Sequence, residues 1–308
     1  MKIESNFEKC SICLESKSLT YEHIIPESIG GIIQCNTQCE ECNNNLGSTI
    51  VSSAKKVYPV RLAVNYLKNI LPKLFMAVEK GQLYTGINEP GDTSELIFKK
   101  GKLRTRTKMN SEGILNIDSK DTSKHIKSIL NKEGLSPQQI SKSILNFEKT
   151  EINKPSKLSG KYSAIKRKFK DIYQTPGEID MNERVIVLIA YNYLCFILGS
   201  VMFNEKLNFI RDFIKNNTIS KNIEIEQNPY TNNYEPFHRI YYETNDVSIT
   251  VFILLFGSLY YKVKFFGFTT INHNKILIED LKNNRILFSE SFDEIKKGYY
   301  FTNKPIEN

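Results

Sequence analysis

The sequence predicts an α+β fold, with a short cysteine-rich module in front of a larger domain of mixed helices and strands. Five of the six cysteines fall within residues 10–42. Beyond them, apolar residues at helical spacing alternate with β-branched and aromatic runs, and no repeat of 20–50 residues suggests a solenoid or propeller. A composition 40% apolar and 25% charged supplies enough material for a buried core. On this reading the 308 residues divide into a module at 1–58 and a substrate-binding or regulatory accessory domain at 59–308, with a further boundary near 150–160.

Between Cys10 and Cys42, Pro26 and the pair Gly30-Gly31 mark short strands and turns. From Asn43 the pattern turns helical, with Leu46, Ile50, Val51 and Ala54 recurring at helical spacing. A second helix follows Pro59, and Pro72 kinks or restarts it. Strands are expected over 82–118, with turns at Glu89-Pro90-Gly91-Asp92 and Lys100-Gly101. Two short helices broken at Gly134 and Pro137 fill 121–150, and 150–160 reads as a linker. An apolar helix at 184–199, an amphipathic one near 204–215 and β-rich segments at 248–263 and 275–278 follow.

No charged residue interrupts 185–203, a stretch long enough to cross a membrane. Asn192, Ser200 and two tyrosines interrupt it, Gly199 marks a break near its end, and a basic flank on one side only is lacking. It reads as a buried core helix, and no membrane partner is expected. The polar start MKIESNFEKC does not resemble a secretory signal. Clustered Cys-x-x-Cys pairs suit a reducing compartment better than a disulfide framework, so a cytoplasmic location is expected.

The formal net charge of +8 points to a polyanionic partner. Its distribution is uneven. Residues 1–57 carry five lysines against seven glutamates, whereas residues 99–170 carry nineteen Lys or Arg against six Asp or Glu. Within the basic stretch, Lys100, Lys102, Arg104, Arg106 and Lys108 alternate with Leu103, Thr105 and Thr107 among the intervening residues. In a strand, alternate side chains share one face about 6.6 Å apart, so these five form a candidate ladder for a phosphate backbone. The other reading is an edge strand kept from aggregating by its charge. The run from Lys166 to Lys168 is a weaker candidate of the same kind. Neither supplies a base-reading motif.

Cys10-x-x-Cys13 and Cys39-x-x-Cys42 are the most specific chemical signal. Each pair brings two thiolates within reach of one ion, and two pairs complete a tetrahedral Cys₄ zinc site with no open position, hence a structural one. Cys35, a fifth thiol nearby, reads as a semi-buried free cysteine. So short a segment buries too little apolar surface to fix itself, and Zn²⁺ would supply the missing stability. The segment it fixes contains Tyr21-Glu22-His23-Ile24-Ile25-Pro26. The adjacent carboxylate, the metal-braced frame and Asn43 directly after the last cysteine favour a chemical role for His23.

Taken together, Cys-x-x-Cys, Glu-His-Ile-Ile-Pro-Glu-Ser-Ile-Gly-Gly and Cys-x-x-Cys-Asn-Asn-Asn-Leu-Gly resemble the zinc-containing branch of the HNH endonucleases. The matching residues are Cys10, Cys13, Glu22, His23, Pro26, Gly30, Gly31, Cys39, Cys42, Asn43 and Gly47. The resemblance implies a zinc-stapled ββα-metal fold, two strands and a helix around a catalytic divalent ion. It further implies metal-dependent hydrolysis of nucleic acid, with double-stranded DNA the expected substrate. His23 would be the general base, and Glu22 and Asn43 would hold Mg²⁺ or Mn²⁺. The family commonly has Asp before the histidine and His at the last metal position; both replacements here offer an oxygen ligand. Asn36 is the nearest candidate for the middle polar residue of the motif. More loosely, the segments from Ile189 to Gly199, Phe209 to Arg211 and Leu255 to Gly257 resemble the accessory region of bacterial HNH proteins. A catalytically silent zinc module that binds nucleic acid is the alternative, and a homodimer is left open.

Overall fold

The computed structural model describes residues 1–5, 7–88, 93–106, 114–118, 122–152, 154–159, 161–175, 177–228, 233–269 and 275–289. In chain order the first elements are β1 (Lys2–Ile3), β2 (Leu19–His23), β3 (Gln34–Cys39), α1 (Glu40–Thr49), α2 (Tyr58–Tyr66) and α3 (Pro72–Glu79). Next come β4 (Leu83–Asn88), β5 (Thr93–Lys99), β6 (Lys102–Thr105), β7 (Ile114–Asp118), α4 (Thr122–Lys132), α5 (Pro137–Glu148), β8 (Pro155–Lys157), β9 (Ser163–Arg167) and β10 (Phe169–Gln174). The chain continues with α6 (Glu183–Leu198), α7 (Asn208–Asn216), β11 (Ile223–Asn228), β12 (Phe237–Thr244), β13 (Ser248–Leu255), β14 (Leu259–Phe266), β15 (Ile276–Asp280) and β16 (Arg285–Ser289).

These elements form two compact units, and the first is discontinuous: Met1–Val78 with Gly177–Asn308, and then Glu79–Pro176. In the first unit, β1-β3-β2 make a small sheet and β11-β14-β13-β12-β15-β16 a large one. One apolar core joins them, running from Cys10 and Ile12 through Ile24, Ile25 and Val60 to the α6 face, Val251, Val263 and Ile286. The stretch with membrane-like composition is at its centre: residues Val185–Cys195 of α6 are all buried. By length and composition alone 183–203 is apolar enough to cross a membrane, and its burial among side chains from both halves of the unit fits the core-helix reading.

The second unit has two sheets, β10-β4-β5-β6 and β7-β9-β8. α4 and α5 cover a core of Ile117, Ile126, Leu130, Ile140 and Phe147. Gly134, at φ +73°, ends the α4 turn, and Ser136 with Gln139 forms a reciprocal cap on α5. The stretch read as a linker is built in: Pro155–Lys157 pairs with β9, and Leu158 is buried in this core. Pro72 starts α3 rather than kinking α2, as suits a residue with no N–H to donate. The expected turn at 89–92 lies outside the described residues.

The charged ladder is shorter than its spacing suggests. Lys100 and Gly101 both have positive φ, +52° and +75°, and form the two-residue turn joining Lys99 to its partner Lys102. Lys100 is thus at a hairpin tip, not in a strand. Lys102 and Arg104 share a face of edge strand β6, paired with Lys99 and Ile97. Arg106, just past the strand, is 3.2 Å from Glu95. Lys108 lies outside the described residues. Lys166 donates to the carbonyls of Glu148 and Thr150 at 2.8 and 2.9 Å, a cation at the C-terminal end of α5.

Candidate functional site

The two Cys-x-x-Cys pairs meet. Cys10 and Cys13 sit on a tight turn in which Leu14 N–H donates to Cys10 O at 2.9 Å and Cys10 N–H to Glu15 O at 3.0 Å. Cys39 ends β3, and Cys42 lies in the first turn of α1. The four Sγ atoms lie within 4.8 Å of one another, with Cys13 and Cys39 at 3.9 Å. Ligands about 2.3 Å from a tetrahedral centre stand about 3.8 Å apart, so the cluster could hold a zinc ion. The backbone N–H groups of Ile12 and Cys39 point at Cys10 Sγ, at 3.4 and 3.3 Å. Burial and the neighbouring thiols push Cys13 up to about 11, and a bound cation would favour its thiolate. Cys35 stands apart: it faces Glu22 across the β2–β3 ladder and is buried, which raises its thiol.

Helix α6 braces this turn from below. Tyr191 donates its hydroxyl proton to Ser11 O at 2.7 Å, and the buried Arg211 donates to the Tyr191 oxygen at 3.1 Å. Arg211 also donates to the carbonyls of Met202 and Asn204 at 2.9 and 2.7 Å, so its charge is spread over backbone acceptors.

Glu22 and His23 end β2, and Asn43 comes from α1 directly behind the zinc ligands. The Asn43 amide nitrogen donates to Thr20 Oγ1 at 3.1 Å and to Tyr21 O at 3.3 Å, and the side chain also hydrogen-bonds Glu22. Asn43 is thus joined to Glu22, whereas the next residue of the strand, His23, turns its ring to Gln34. Burial raises Glu22 to about 7, with the His23 amide and Asn43 opposing and the Glu27 charge reinforcing. Burial lowers His23, again against an opposing pull from Glu27. The ring is therefore neutral at physiological pH.

Two partners of His23 escaped the sequence reading. Gln34 is its register partner on β3, and the Gln34 amide nitrogen is 3.1 Å from His23 Nε2. Asn36 instead pairs with Ser5, accepting the Ser5 hydroxyl at 2.8 Å. The register is shifted by an irregularity between Thr20 and Tyr21, which spacing alone does not reveal. From α6, Asn192 donates to the carbonyl of His23 at 3.4 Å and accepts from Gln38 at 3.0 Å. A polar residue alone in an apolar helix was the available signal, and it read only as a break in a hydrophobic run.

The loop from Ile24 to Ile33 closes on itself. Ile24 N–H donates to Ile33 O at 3.0 Å, and Gly31 N–H to Pro26 O at 3.1 Å. Gly30 has φ +99°, and a Cβ at Gly31 would lie 1.7 Å from the Ile25 carbonyl oxygen. Both glycines are therefore required by the turn.

Among the described residues the four cysteines are the one group of three or more His, Cys, Asp or Glu side chains close enough to hold a metal. Glu22 and Asn43 offer a carboxylate and an amide, hard oxygen donors suited to an ion that keeps waters and binds substrate phosphate. Comparison with curated proteins and with solved structures gives no match. Residues 10–59 match the family model for HNH endonucleases, and the four-cysteine cluster fits the zinc-containing branch of that family.

Proposed function

We propose that this chain is a metal-dependent endonuclease that hydrolyses phosphodiester bonds in double-stranded DNA. The observation that carries the reading is the hydrogen bond between Glu22 and Asn43 directly behind the cysteine cluster, with neutral His23 the next residue of the strand. His23 takes a proton from water as that water attacks phosphorus. With the Gln34 amide nitrogen facing Nε2, that ring nitrogen accepts and the proton is on Nδ1. With the amide reversed, Nε2–H donates to the Gln34 oxygen and Nδ1 is left to act as the base. The base role therefore requires the second orientation, in which the Gln34 oxygen accepts from Nε2–H. Glu22 and Asn43 hold Mg²⁺ or Mn²⁺, which when bound supplies Lewis-acid stabilisation of the phosphoryl and leaving oxygens.

Supercoiled plasmid incubated with purified protein and Mg²⁺ or Mn²⁺ is expected to convert to nicked and linear forms, and EDTA to stop the conversion. A protein that binds DNA yet leaves it intact with every metal would instead be a silent zinc-containing binding module.

Lys102 and Arg104 are proposed to contact the DNA backbone, with Arg106 contributing less because Glu95 offsets its charge. Replacing Lys102 and Arg104 by alanine is expected to weaken binding alike on all sequences. It should also flatten the slope of log affinity against log salt by about 2, since each phosphate left without its cation takes roughly one from the slope. An unchanged slope would leave the strand as a solvated edge.

A further inference from the structure

Two buried titratable side chains of the large sheet grip the two ends of the turn that follows His23. His238 on β12 and Glu279 on β15 are register partners, so they project from the same face of the sheet. Both are 0% exposed. The neutral imidazole of His238 has a fixed tautomer: Nδ1 accepts from Phe256 N–H at 3.1 Å, so Nε2–H donates to Ile29 O at 3.1 Å. Burial lowers His238 to about 4, which keeps it neutral. Glu279 accepts from Ile33 N–H at 2.9 Å. Burial raises its carboxyl to about 7, with the Ile33 and Ile32 amides and the chain's amino terminus opposing.

Neither grip is on an inert segment. The Ile33 carbonyl accepts from Ile24 N–H, the amide next to His23, and the following residue is Gln34, whose amide meets the His23 ring. At the other end, Ile29 closes the short turn bearing Glu27, the carboxylate whose charge acts on both His23 and Glu22. The fit is close: a Cβ on Gly30 would lie 3.6 Å from His238 Nε2 and 3.0 Å from Leu74. A buried carboxylate and imidazole cost solvation free energy that apolar residues would not, so their placement on these two peptide groups requires a reason.

We propose that His238 and Glu279 are positioning residues that clamp the loop from Ile29 to Ile33 and so set the orientation of His23 and the contact of Gln34 with its ring. The inference rests on the reading of His23 as the catalytic base. It gives the C-terminal sheet a part in the site, although both residues lie far outside the matched segment 10–59.

The test compares Glu279→Gln, which keeps an acceptor for Ile33 N–H, with Glu279→Leu, which fills similar space without one. For plasmid nicking, Glu279→Leu is expected to lower kcat about 10- to 100-fold, the scale on which misplacement of a reacting group acts, with KM little changed. Glu279→Gln should stay near wild type. The ring ¹⁵N shifts of His23 give a readout that needs no activity: one tautomer in wild type and Glu279→Gln, an averaged mixture in Glu279→Leu. A folded Glu279→Leu protein with wild-type ring shifts overturns the clamp. A wild-type protein that never nicks DNA removes the nuclease reading, while the ring shifts still decide the clamp. If Glu279→Leu does not fold, amide exchange of the wild-type protein decides. Ile24 and Ile33 should exchange as slowly as the core amides of β13, and exchange at the rate of exposed amides overturns the proposal.

Discussion

Replacing His23 by alanine is expected to lower metal-dependent DNA cleavage by about 10²- to 10⁴-fold, the range for loss of a general base. Zinc content and DNA affinity should stay close to wild type. The geometry separates these effects. The His23 ring is hydrogen-bonded to Gln34 and belongs to no cysteine contact. The loss therefore falls on proton transfer rather than on the frame. Glu22→Ala and Asn43→Ala should also lose activity, but higher Mn²⁺ should restore part of it, because their proposed task is to hold the ion. A His23→Ala protein cleaving at the wild-type rate would require another base or another function.

Loss of the cysteine-held metal is the second large effect. Freshly purified protein should contain about one Zn²⁺ per chain by elemental analysis, and Cys39→Ser should abolish that stoichiometry and destabilise the first unit. Zinc binding to small Cys-rich modules is worth about 10–16 kcal/mol at neutral pH, comparable with the whole stability of an ordinary domain. Even a loss of about 3 kcal/mol would lower the melting temperature by about 6–12 °C in a chain of this size. Cys39 is a demanding position to lose. It ends β3, precedes α1 and donates its N–H to Cys10 Sγ, so one residue joins strand, helix and metal turn. Protein free of zinc when freshly made, with an undiminished melting temperature, would refute the structural-zinc assignment.

The metal cluster was the most legible part of the sequence because its information is local. Two ligands three residues apart constrain each other whatever the rest of the chain does, and the Gly30-Gly31 turn is dictated by backbone sterics. The α+β class and the burial of α6 were legible for a related reason: period and composition act within one element. What could not be read depended on pairings between distant segments. The extra residue of β3 between Gln38 and Asn36 places Gln34, rather than Cys35, opposite His23. Asn192 reaches the His23 carbonyl only because α6 packs beneath a strand more than 150 positions earlier in the chain. The alternation in 100–108 looked like a continuous strand, but two residues with positive φ turn the chain at Lys100-Gly101. Likewise, 150–160 has linker composition yet supplies a strand.

The discontinuity of the first unit has a consequence for the order of events on the ribosome. Glu22, His23, Asn43 and the four cysteines are synthesised before most of the apolar surface that holds them, which is completed by α6 and by strands reaching Ile286. The whole of the second unit, Glu79–Pro176, is translated in between. The residues proposed for the site are thus translated before the surface that packs them, and they reach their native surroundings only after the second unit has emerged.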